Sequence, residues 1–234
     1  MKFVSLFFVI FVDSFLQIVT SQMITQCTQN GVFALTFDDG VTQYSEQMLD
    51  ILKEKGVKAT FFYIGSNLES DKQKKTAKRA FDEGHQIASH TWSHPELSKL
   101  SAGKVKEEMQ KTEDNIEEAI GKKVRYMRNP FLDSSEAVDN ILRGMDYIQV
   151  GVNLDTFDWK VKDIDPDRIF SIIDDTMKTV DVNTQSFISL QHDLTDPKVA
   201  KISEIIDLVR SKNFRFVTSE ECLDKGPAYR DFFT

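Results

Sequence analysis

Short apolar runs alternate along the chain with longer amphipathic segments, and this alternation restricts the possible folds more than any other feature. The apolar runs, rich in β-branched and aromatic residues, predict strands at 32–37, 58–64, 86–89, 126–127, 147–152, 186–190 and 214–217. The amphipathic segments predict helices at 44–55, 72–82, 101–120, 135–143, 167–180 and 197–211. Repeated strand-helix units indicate an α/β fold with a mostly parallel sheet or barrel.

The chain is predicted to form one domain after an N-terminal signal. In residues 1–21, Lys2 precedes an apolar run that ends at Val12, and small residues lie near Ser21, as in a cleaved signal peptide. An uncleaved membrane anchor is the alternative, but Asp13 leaves the run at about half the roughly 20 residues that a spanning helix needs. Residues 22–234 contain no repeat and no Pro/Gly/Ser-rich linker, so they are assigned to a single domain.

Charge and cysteine content limit the partners and the compartment. The formal net charge is −8 and no basic stripe is present, which excludes nucleic acid as a partner. The two cysteines, Cys27 and Cys222, lie near the two ends of the domain. In a secreted protein they predict one disulfide, and the alternative is two unpaired buried thiols.

Polar segments follow the predicted strands, where an α/β barrel gathers its functional residues. They are Asp38–Gly40, His90–His94, Arg128–Phe131, Asp155–Trp159 and His192–Asp193. Taken singly, each has an ordinary explanation. An Asp-Asp-Gly sequence is a common turn. The spacing of His90 and His94 predicts a helical turn with both rings on one side, but two such histidines could simply be surface residues.

Histidine and carboxylate side chains also suit a zinc-like ion, and three protein ligands with an open fourth position are what a hydrolytic metal site needs. The chain has four histidines. His90 and His94 form the spaced pair, and His192 could donate a proton. His85 has no predicted role.

In their order along the chain, the five segments resemble the five motifs of the polysaccharide deacetylases, carbohydrate esterase family 4, also called the NodB-homology domain. The resemblance covers about residues 30 to 220 and implies a distorted (β/α) barrel. The segment Asn153–Trp159 and the pair of terminal cysteines are most similar to the fungal chitin deacetylase branch.

The resemblance implies a metal-dependent hydrolytic site. Asp39, His90 and His94 would bind zinc or another divalent ion such as cobalt. Asp38 would be the general base that activates water, and His192 would be the general acid that protonates the leaving amine.

Two further side chains are assigned through the same resemblance. Arg128 would pair with Asp38 and keep it ionised, and Asp158 would orient and charge His192. These assignments make each catalytic group depend on a partner of opposite charge.

Other matching positions would contact the substrate. The backbone N–H of Phe131 would stabilise the oxyanion, and Trp159, together with Trp92, would wall the sugar-binding groove.

The chain departs from the family pattern near two motifs. Phe131 stands where the family usually has tyrosine, and Val41 stands where it usually has proline. Asn129 and Leu132 replace the usual proline and glycine beside Phe131. These changes put the substrate in question more than the metal.

The sequence therefore predicts a secreted deacetylase that removes N-acetyl groups from N-acetylglucosamine polymers, chitin foremost, in a cell wall or spore coat. Peptidoglycan and acetylated xylan are the alternative substrates. A catalytically weak or inactive relative that binds the wall is the alternative function. The predicted partner is the polysaccharide, with a monomeric protein and no stable membrane insertion.

Overall fold

The computed structural model describes residues 23–160, 166–192 and 196–230. The predicted signal peptide, 1–21, lies outside these residues, as does Asp193 of the fifth motif. Within the described ranges, no helix is both long and apolar enough to cross a membrane.

The predicted α/β class is confirmed, with parallel strands and flanking helices. The strands are β1 Val32–Ala34, β2 Thr36–Asp38, β3 Thr60–Tyr63, β4 Gln86–Ser89, β5 Lys123–Val124, β6 Tyr126–Met127, β7 Ile148–Gln149, β8 Leu154–Asp155, β9 Phe187–His192, β10 Arg215–Val217 and β11 Tyr229–Arg230. The helices are α1 Ser45–Lys55, α2 Asp71–Asp82, α3 Ala102–Ile120, α4 Glu136–Gly144, α5 Pro166–Met177, α6 Asp196–Ser211 and α7 Ser219–Leu223. Short 3₁₀ turns cover Gly65–Leu68, Leu97–Lys99 and Pro130–Leu132.

The main sheet is parallel throughout, in the order β10-β1-β9-β2-β3-β4-β6-β7, and β8 adds to β9. A separate antiparallel pair joins β11 to β5. Because the strands are parallel, the residues that follow them emerge at the same end of the sheet. This arrangement sets the place of the candidate site.

The first predicted strand is divided in two at Leu35, and its side chains alternate between two faces of the sheet. Phe33, Leu35 and Phe37 pack in the larger apolar cluster with the helices, whereas Val32 and Ala34 belong to a smaller cluster on the opposite face. Because alternate residues of a strand point to the same face, Thr36 and Asp38 lie on the face of the sheet that carries Val32 and Ala34. The apolar pattern of β1 therefore fixes the face on which Asp38 lies.

Glycines end helices α1 and α3. Gly56 follows α1 with φ 59° and Gly121 follows α3 with φ 72°. This left-handed conformation strains most residues but suits glycine, which closes the last turn. The predicted end of α1 at 55 and of α3 at 120 is thus confirmed.

His85, which had no predicted role, is a core residue. Its Nδ1 atom accepts the backbone N–H of Ala59 at 3.1 Å, and its ring meets Phe61 edge-on. Burial lowers the pKa of His85 to about 4, so the ring is neutral at pH 7. His85 contributes to packing beneath the sheet and not to the candidate site.

The predicted disulfide joins Cys27 to Cys222 on α7, and the alternative of two free thiols is wrong. Beside it, both the backbone N–H and the hydroxyl of Thr28 donate to the Cys222 carbonyl, at 2.8 and 3.2 Å. The bond closes a loop with a sequence separation of 195 residues. It therefore ties the two ends of the domain together.

We expect the Cys27→Ser/Cys222→Ser protein to lose about 3 kcal/mol of unfolding free energy, since an opened loop of this length restores conformational freedom to the unfolded chain. Chemical denaturation measures the loss. Wild-type protein kept reduced is the matched control and should have the same denaturation midpoint as the double variant. An unchanged midpoint in both samples would show that the bond contributes no stability.

Candidate active site

The five predicted motifs meet at the carboxyl ends of the strands. Asp38 ends β2, His192 ends β9, and Asp155 ends β8, while His90 and Arg128 directly follow β4 and β6. A cavity of about 340 Å³ opens at this end of the sheet. The residues that line it are Asp38, Asp39, His90, His94, Asn129, Phe131, Leu132, Asp155, Trp159, Leu190 and His192.

Asp39, His90 and His94 form a cluster whose ligand atoms lie within 4.8 Å of one another. The Oδ1 atom of Asp39 lies 3.4 Å from the Nε2 atoms of both histidines. This oxygen is buried and has no hydrogen-bond partner among the described residues. An anionic oxygen left without a donor, facing two imidazole nitrogens, fits a divalent cation.

The charges around Asp39 favour its ionised form. Burial alone would raise the pKa of Asp39, but the neighbouring imidazoles of His90, His192 and His94 outweigh it and lower the pKa to about 2. Burial lowers the pKa of His94. An ionised carboxylate and a largely neutral imidazole are the states in which these groups bind a metal.

A second hydrogen bond orients the His90 ring. Its Nδ1–H donates to the backbone carbonyl of Arg128 at 2.8 Å. This bond selects the tautomer whose Nε2 carries the free lone pair, and that atom faces Asp39. His90 is thus arranged as a metal ligand.

The loop from His90 to His94 is not a helical turn, and the expectation that the four-residue spacing acts through a helix is wrong. Thr91 and His94 have φ angles of 66° and 59°, in the left-handed region. The hydroxyl of Thr91 accepts the backbone N–H of His94 at 3.2 Å, and the two imidazole centroids lie 4.9 Å apart. An irregular loop brings the rings together.

Asp38 is held by Arg128, the largest fully buried side chain among the described residues. An Nη1–H of Arg128 donates to Asp38 Oδ1 at 2.7 Å. Burial lowers the pKa of Arg128, and the adjacent Asp38 carboxylate opposes that shift. The guanidinium also lies 4.2 Å from the ring centre of Phe62 and donates to Thr36 Oγ1, Val150 O and Gly151 O.

His192 is paired with Asp158 in the same way that Asp38 is paired with Arg128. The Nδ1–H of His192 donates to Asp158 Oδ1 at 2.7 Å, and the backbone N–H of His192 donates to Oδ2 at 2.8 Å. Burial opposes a charge on the ring, but Asp158, then Asp38 and Asp39, outweigh it and raise the pKa of His192 to about 9. The Nε2 atom points toward Asp39 Oδ2, 3.9 Å away.

The Phe131 loop lies beside the cluster of Asp39, His90 and His94. Phe131 is 65% exposed, and its ring meets His94 edge-on with centroids 4.6 Å apart. Phe131 and Leu132 have φ angles of 57° and 53°, which explains why a glycine at position 132 would be favourable. The side chain of Asn129 donates to the carbonyl of Asp133 at 2.9 Å and so closes the loop in place of the missing proline.

Only one of the two predicted tryptophans lines the cavity. Trp159 is 52% exposed, and its indole N–H donates to the Asp155 carboxylate at 3.2 Å. Trp92 packs on the other side of the ligand loop, where a Cβ added to Gly65 would lie 2.8 Å from the indole. The predicted wall of the groove therefore contains Trp159 but not Trp92.

Several cavity residues were not assigned a role from the sequence. Asp155 belongs to a predicted motif, and its interaction with Trp159 could have been anticipated from their spacing of four. Leu190, Asn129 and Leu132 lie within or beside motifs, but their types alone gave no functional signal. Thr36, whose hydroxyl accepts a hydrogen bond from Arg128, could be predicted from the sequence only as a strand residue.

Comparison with known proteins agrees with this geometry. The polysaccharide deacetylase family model matches residues 25–150. A chitin deacetylase of Colletotrichum lindemuthianum is 34% identical over 215 residues, 90% of this chain and 87% of that protein. The solved structure of the chitin deacetylase from that fungus covers 90% of this chain and 96% of its own, with a TM-score of 0.84 and 34% identity.

Two other relatives differ in the polymer that their names specify. A chitin deacetylase of a Pestalotiopsis species is 35% identical over 88% of this chain and 68% of that protein. A peptidoglycan-N-acetylglucosamine deacetylase of Bacillus cereus is 34% identical over 79% of this chain and 66% of that protein. The structural match confirms the predicted single-domain fold of the distorted NodB type. The chain belongs to the polysaccharide deacetylase family, carbohydrate esterase family 4, and its chitin deacetylase relatives place it among the hydrolases that act on N-acetyl amide bonds.

Proposed function

We propose that this protein is a secreted, divalent-metal-dependent deacetylase that releases acetate from N-acetylglucosamine polymers, chitin foremost. One observation carries the proposal: three potential metal ligands and two buried ion pairs meet at one cavity. In one ion pair the cavity-facing group is the carboxylate, and in the other it is the imidazole. Arg128 holds the carboxylate of Asp38, and Asp158 holds the imidazole of His192. Hydrolysis of an amide needs a base and an acid placed in this way.

Asp39, His90 and His94 would hold the ion, and zinc is the proposed metal, with cobalt as an alternative of similar ligand preference. A divalent ion bound there supplies Lewis acidity, which polarises an acetyl carbonyl and makes a water molecule more acidic. The orphaned Asp39 Oδ1 and the orientation of His90 support this assignment.

Asp38 is proposed as the general base that takes the proton of the attacking water. Its Oδ1 atom accepts a hydrogen bond from Arg128, and its Oδ2 atom lies 3.8 Å from Nε2 of His90, one of the proposed metal ligands. The rigid contact with a buried guanidinium orients the carboxylate and stabilises its negative charge. The second oxygen is therefore available to a water molecule in the cavity.

His192 is proposed as the general acid that protonates the departing amine. The Asp158 carboxylate accepts from Nδ1 and leaves the Nε2–H directed into the cavity. An amine leaves only after it gains a proton, since expulsion of an amide anion is prohibitive. The backbone N–H of Phe131 is proposed to stabilise the oxyanion formed at the acetyl carbon.

Chitin is the proposed polymer because exposed aromatic rings flank the cavity. Trp159 and Phe131 present apolar faces at its edge, which suit the apolar faces of a pyranose ring. The names of two fungal relatives specify chitin, and that of a bacterial relative specifies peptidoglycan. Peptidoglycan and acetylated xylan therefore serve as the competing substrates in the test.

Secretion is proposed from residues 1–21, with cleavage after Ser21 leaving residues 22–234 as a monomeric domain in the wall or spore coat. The disulfide between Cys27 and Cys222 supports an oxidising compartment. N-terminal sequencing of protein recovered outside the cell tests the proposal. An intact Met1 would contradict it.

We expect purified protein to bind about one divalent ion and to release acetate from chitin oligomers, and we expect a chelator to abolish the release. The His90→Ala protein should lose both the ion and the activity, because it removes one of three ligands. The readouts are elemental analysis and acetate assay. Metal-loaded protein that releases no acetate from chitin oligomers, peptidoglycan fragments or acetylated xylan would favour the wall-binding alternative.

A further inference from the structure

We propose that Glu108, on α3 and outside the cavity, is a positioning residue that fixes the loop between His90 and His94 and so sets the affinity of the metal site. Its Oε2 atom accepts the backbone N–H groups of Trp92 at 2.9 Å and Ser93 at 2.8 Å. Its Oε1 atom accepts the Ser93 hydroxyl at 2.8 Å. This inference rests on the metal-binding part of the proposed function.

The ligand loop needs an external support because its conformation is unfavourable. Thr91 and His94 both occupy the left-handed region, which residues with a Cβ avoid and which β-branched threonine avoids most strongly. Without a constraint, the loop would relax toward other conformations and carry His94 away from His90. The 3.4 Å separations between Asp39 Oδ1 and the two imidazoles depend on this loop geometry.

A 3₁₀ turn at Gly65–Leu68 holds the other side of the same loop. The N–H of Gly65 donates to the Thr91 carbonyl at 2.9 Å, and the N–H of Ser66 donates to the Trp92 carbonyl at 3.1 Å. The side chain of Asn67 donates to the Asp39 carbonyl at 2.7 Å. One turn thus ties the backbone of the third ligand to the backbone of the histidine loop.

Helix α3 supports both parts of this arrangement. Asn115 donates to the Gly65 carbonyl at 3.1 Å, so the helix holds the turn, while Glu108 holds the loop directly. A Cβ on Gly65 would come within 2.8 Å of the Thr112 backbone, which shows how closely the turn lies against the helix. A buried apolar side that includes Val105 and Met109 fixes α3 to the core. Hydrogen bonds within the protein itself therefore constrain both loops that carry the proposed metal ligands.

The carboxylate chemistry of Glu108 suits this function better than an amide would. An ionised carboxylate offers acceptors at both oxygens, and its bonds to three donors are charge-assisted. Glutamine at this position would keep one oxygen acceptor for the two backbone N–H groups, but its NH₂ group can only donate to the Ser93 hydroxyl, and the bonds lose their charge assistance. The Glu108→Gln protein should therefore bind metal more weakly than wild type and more tightly than the Glu108→Ala protein.

The test measures metal affinity of the complete mature protein after removal of bound ions, with Zn²⁺ titrated against a chromophoric chelator. We expect Glu108→Ala to weaken Zn²⁺ binding about 10- to 100-fold, the usual effect of losing an outer support of a metal ligand. The visible spectrum of the Co²⁺ form should change in the same variant, because the position of His94 changes. Glu107→Ala is the matched control, since this neighbouring carboxylate pairs only with Lys104 and Lys111 among the described residues.

The outcomes separate this inference from the function on which it rests. If wild type binds Zn²⁺ and Glu108→Ala binds it within twofold of Glu107→Ala, the positioning role is refuted and the metal site stands. If wild type binds no divalent ion, both are refuted. A purely structural role would lower the melting temperature without changing the affinity of the folded protein. If Glu108→Ala does not fold, the Zn²⁺ affinity of Glu108→Gln is compared with that of Glu107→Ala by the same twofold criterion. Ser93→Ala is expected to lose less Zn²⁺ affinity than either Glu108 variant.

Discussion

Replacement of Asp38 by asparagine is expected to lower kcat for acetate release about 10³-fold, within the range that a positioned general base contributes. The substitution removes the proton acceptor but nearly preserves the shape of the side chain. Asparagine can still accept from Arg128 through its Oδ1 atom, and Asp39, His90 and His94 are untouched. The variant should consequently bind its metal ion with the same stoichiometry, while acetate release from chitin oligomers is measured beside elemental analysis.

The same substitution also leaves the buried Arg128 guanidinium without an anionic partner, and a buried cation that loses its partner is strongly destabilising. Activity must therefore be compared at a temperature where thermal melting shows the variant to be folded. Asp207→Asn is a matched control, because that carboxylate pairs with Lys55 outside the cavity. If folded, metal-loaded Asp38→Asn protein retains more than a tenth of wild-type kcat, Asp38 is not the base.

The candidate metal ligands could be identified from the sequence because each motif keeps its ligand types next to a strand end. The sequence did not indicate the local backbone conformation that brings the side chains of Asp39, His90 and His94 together. Asp39, Thr91 and His94 all have positive φ angles, which residue types other than glycine do not signal. The histidine spacing suggested a helical turn, whereas the ring contact comes from an irregular loop held by hydrogen bonds.

The position of Trp92 outside the cavity lining has the same physical origin. Its neighbours in the sequence are ligand-loop residues, and a tryptophan among them is reasonably expected at the groove. The left-handed Thr91 turns the chain so that the indole packs beside Gly65 instead. Likewise, Glu108 appeared to belong to a solvated helix face, since nothing in the charge pattern of α3 shows that one carboxylate receives three donors from a distant loop.

The two buried ion pairs place opposite charges beside the proposed base, Asp38, and the proposed acid, His192. A buried cation, Arg128, favours the anion at Asp38, and a buried anion, Asp158, favours the cation at His192. Two titratable groups whose surroundings favour opposite charges are the arrangement expected for a base and an acid that act in one reaction. Asp39 lies between them, within 3.9 Å of His192 Nε2.

Replacement of His192 by asparagine is expected to lower kcat for chitin oligomers about 10³-fold, but to slow hydrolysis of an aryl acetate such as 4-nitrophenyl acetate less than tenfold. The amine of an N-acetyl sugar must be protonated as it leaves, whereas a nitrophenolate leaves without a proton. Activity on the two substrates should therefore separate in this variant. The measurement is the ratio of kcat values for amide and aryl ester, relative to the same ratio in wild type.

Asp158→Asn provides the matched control, because it retains the imidazole but removes the carboxylate that accepts from Nδ1. Its amide activity should fall less than that of His192→Asn, with a change of ratio in the same direction. Asp38→Asn should instead lose activity on both substrates, since attack by water precedes departure of either leaving group. Equal losses on amide and ester in His192→Asn would assign His192 to water activation or substrate binding, because only a proton donor to the leaving group distinguishes an amine from a nitrophenolate.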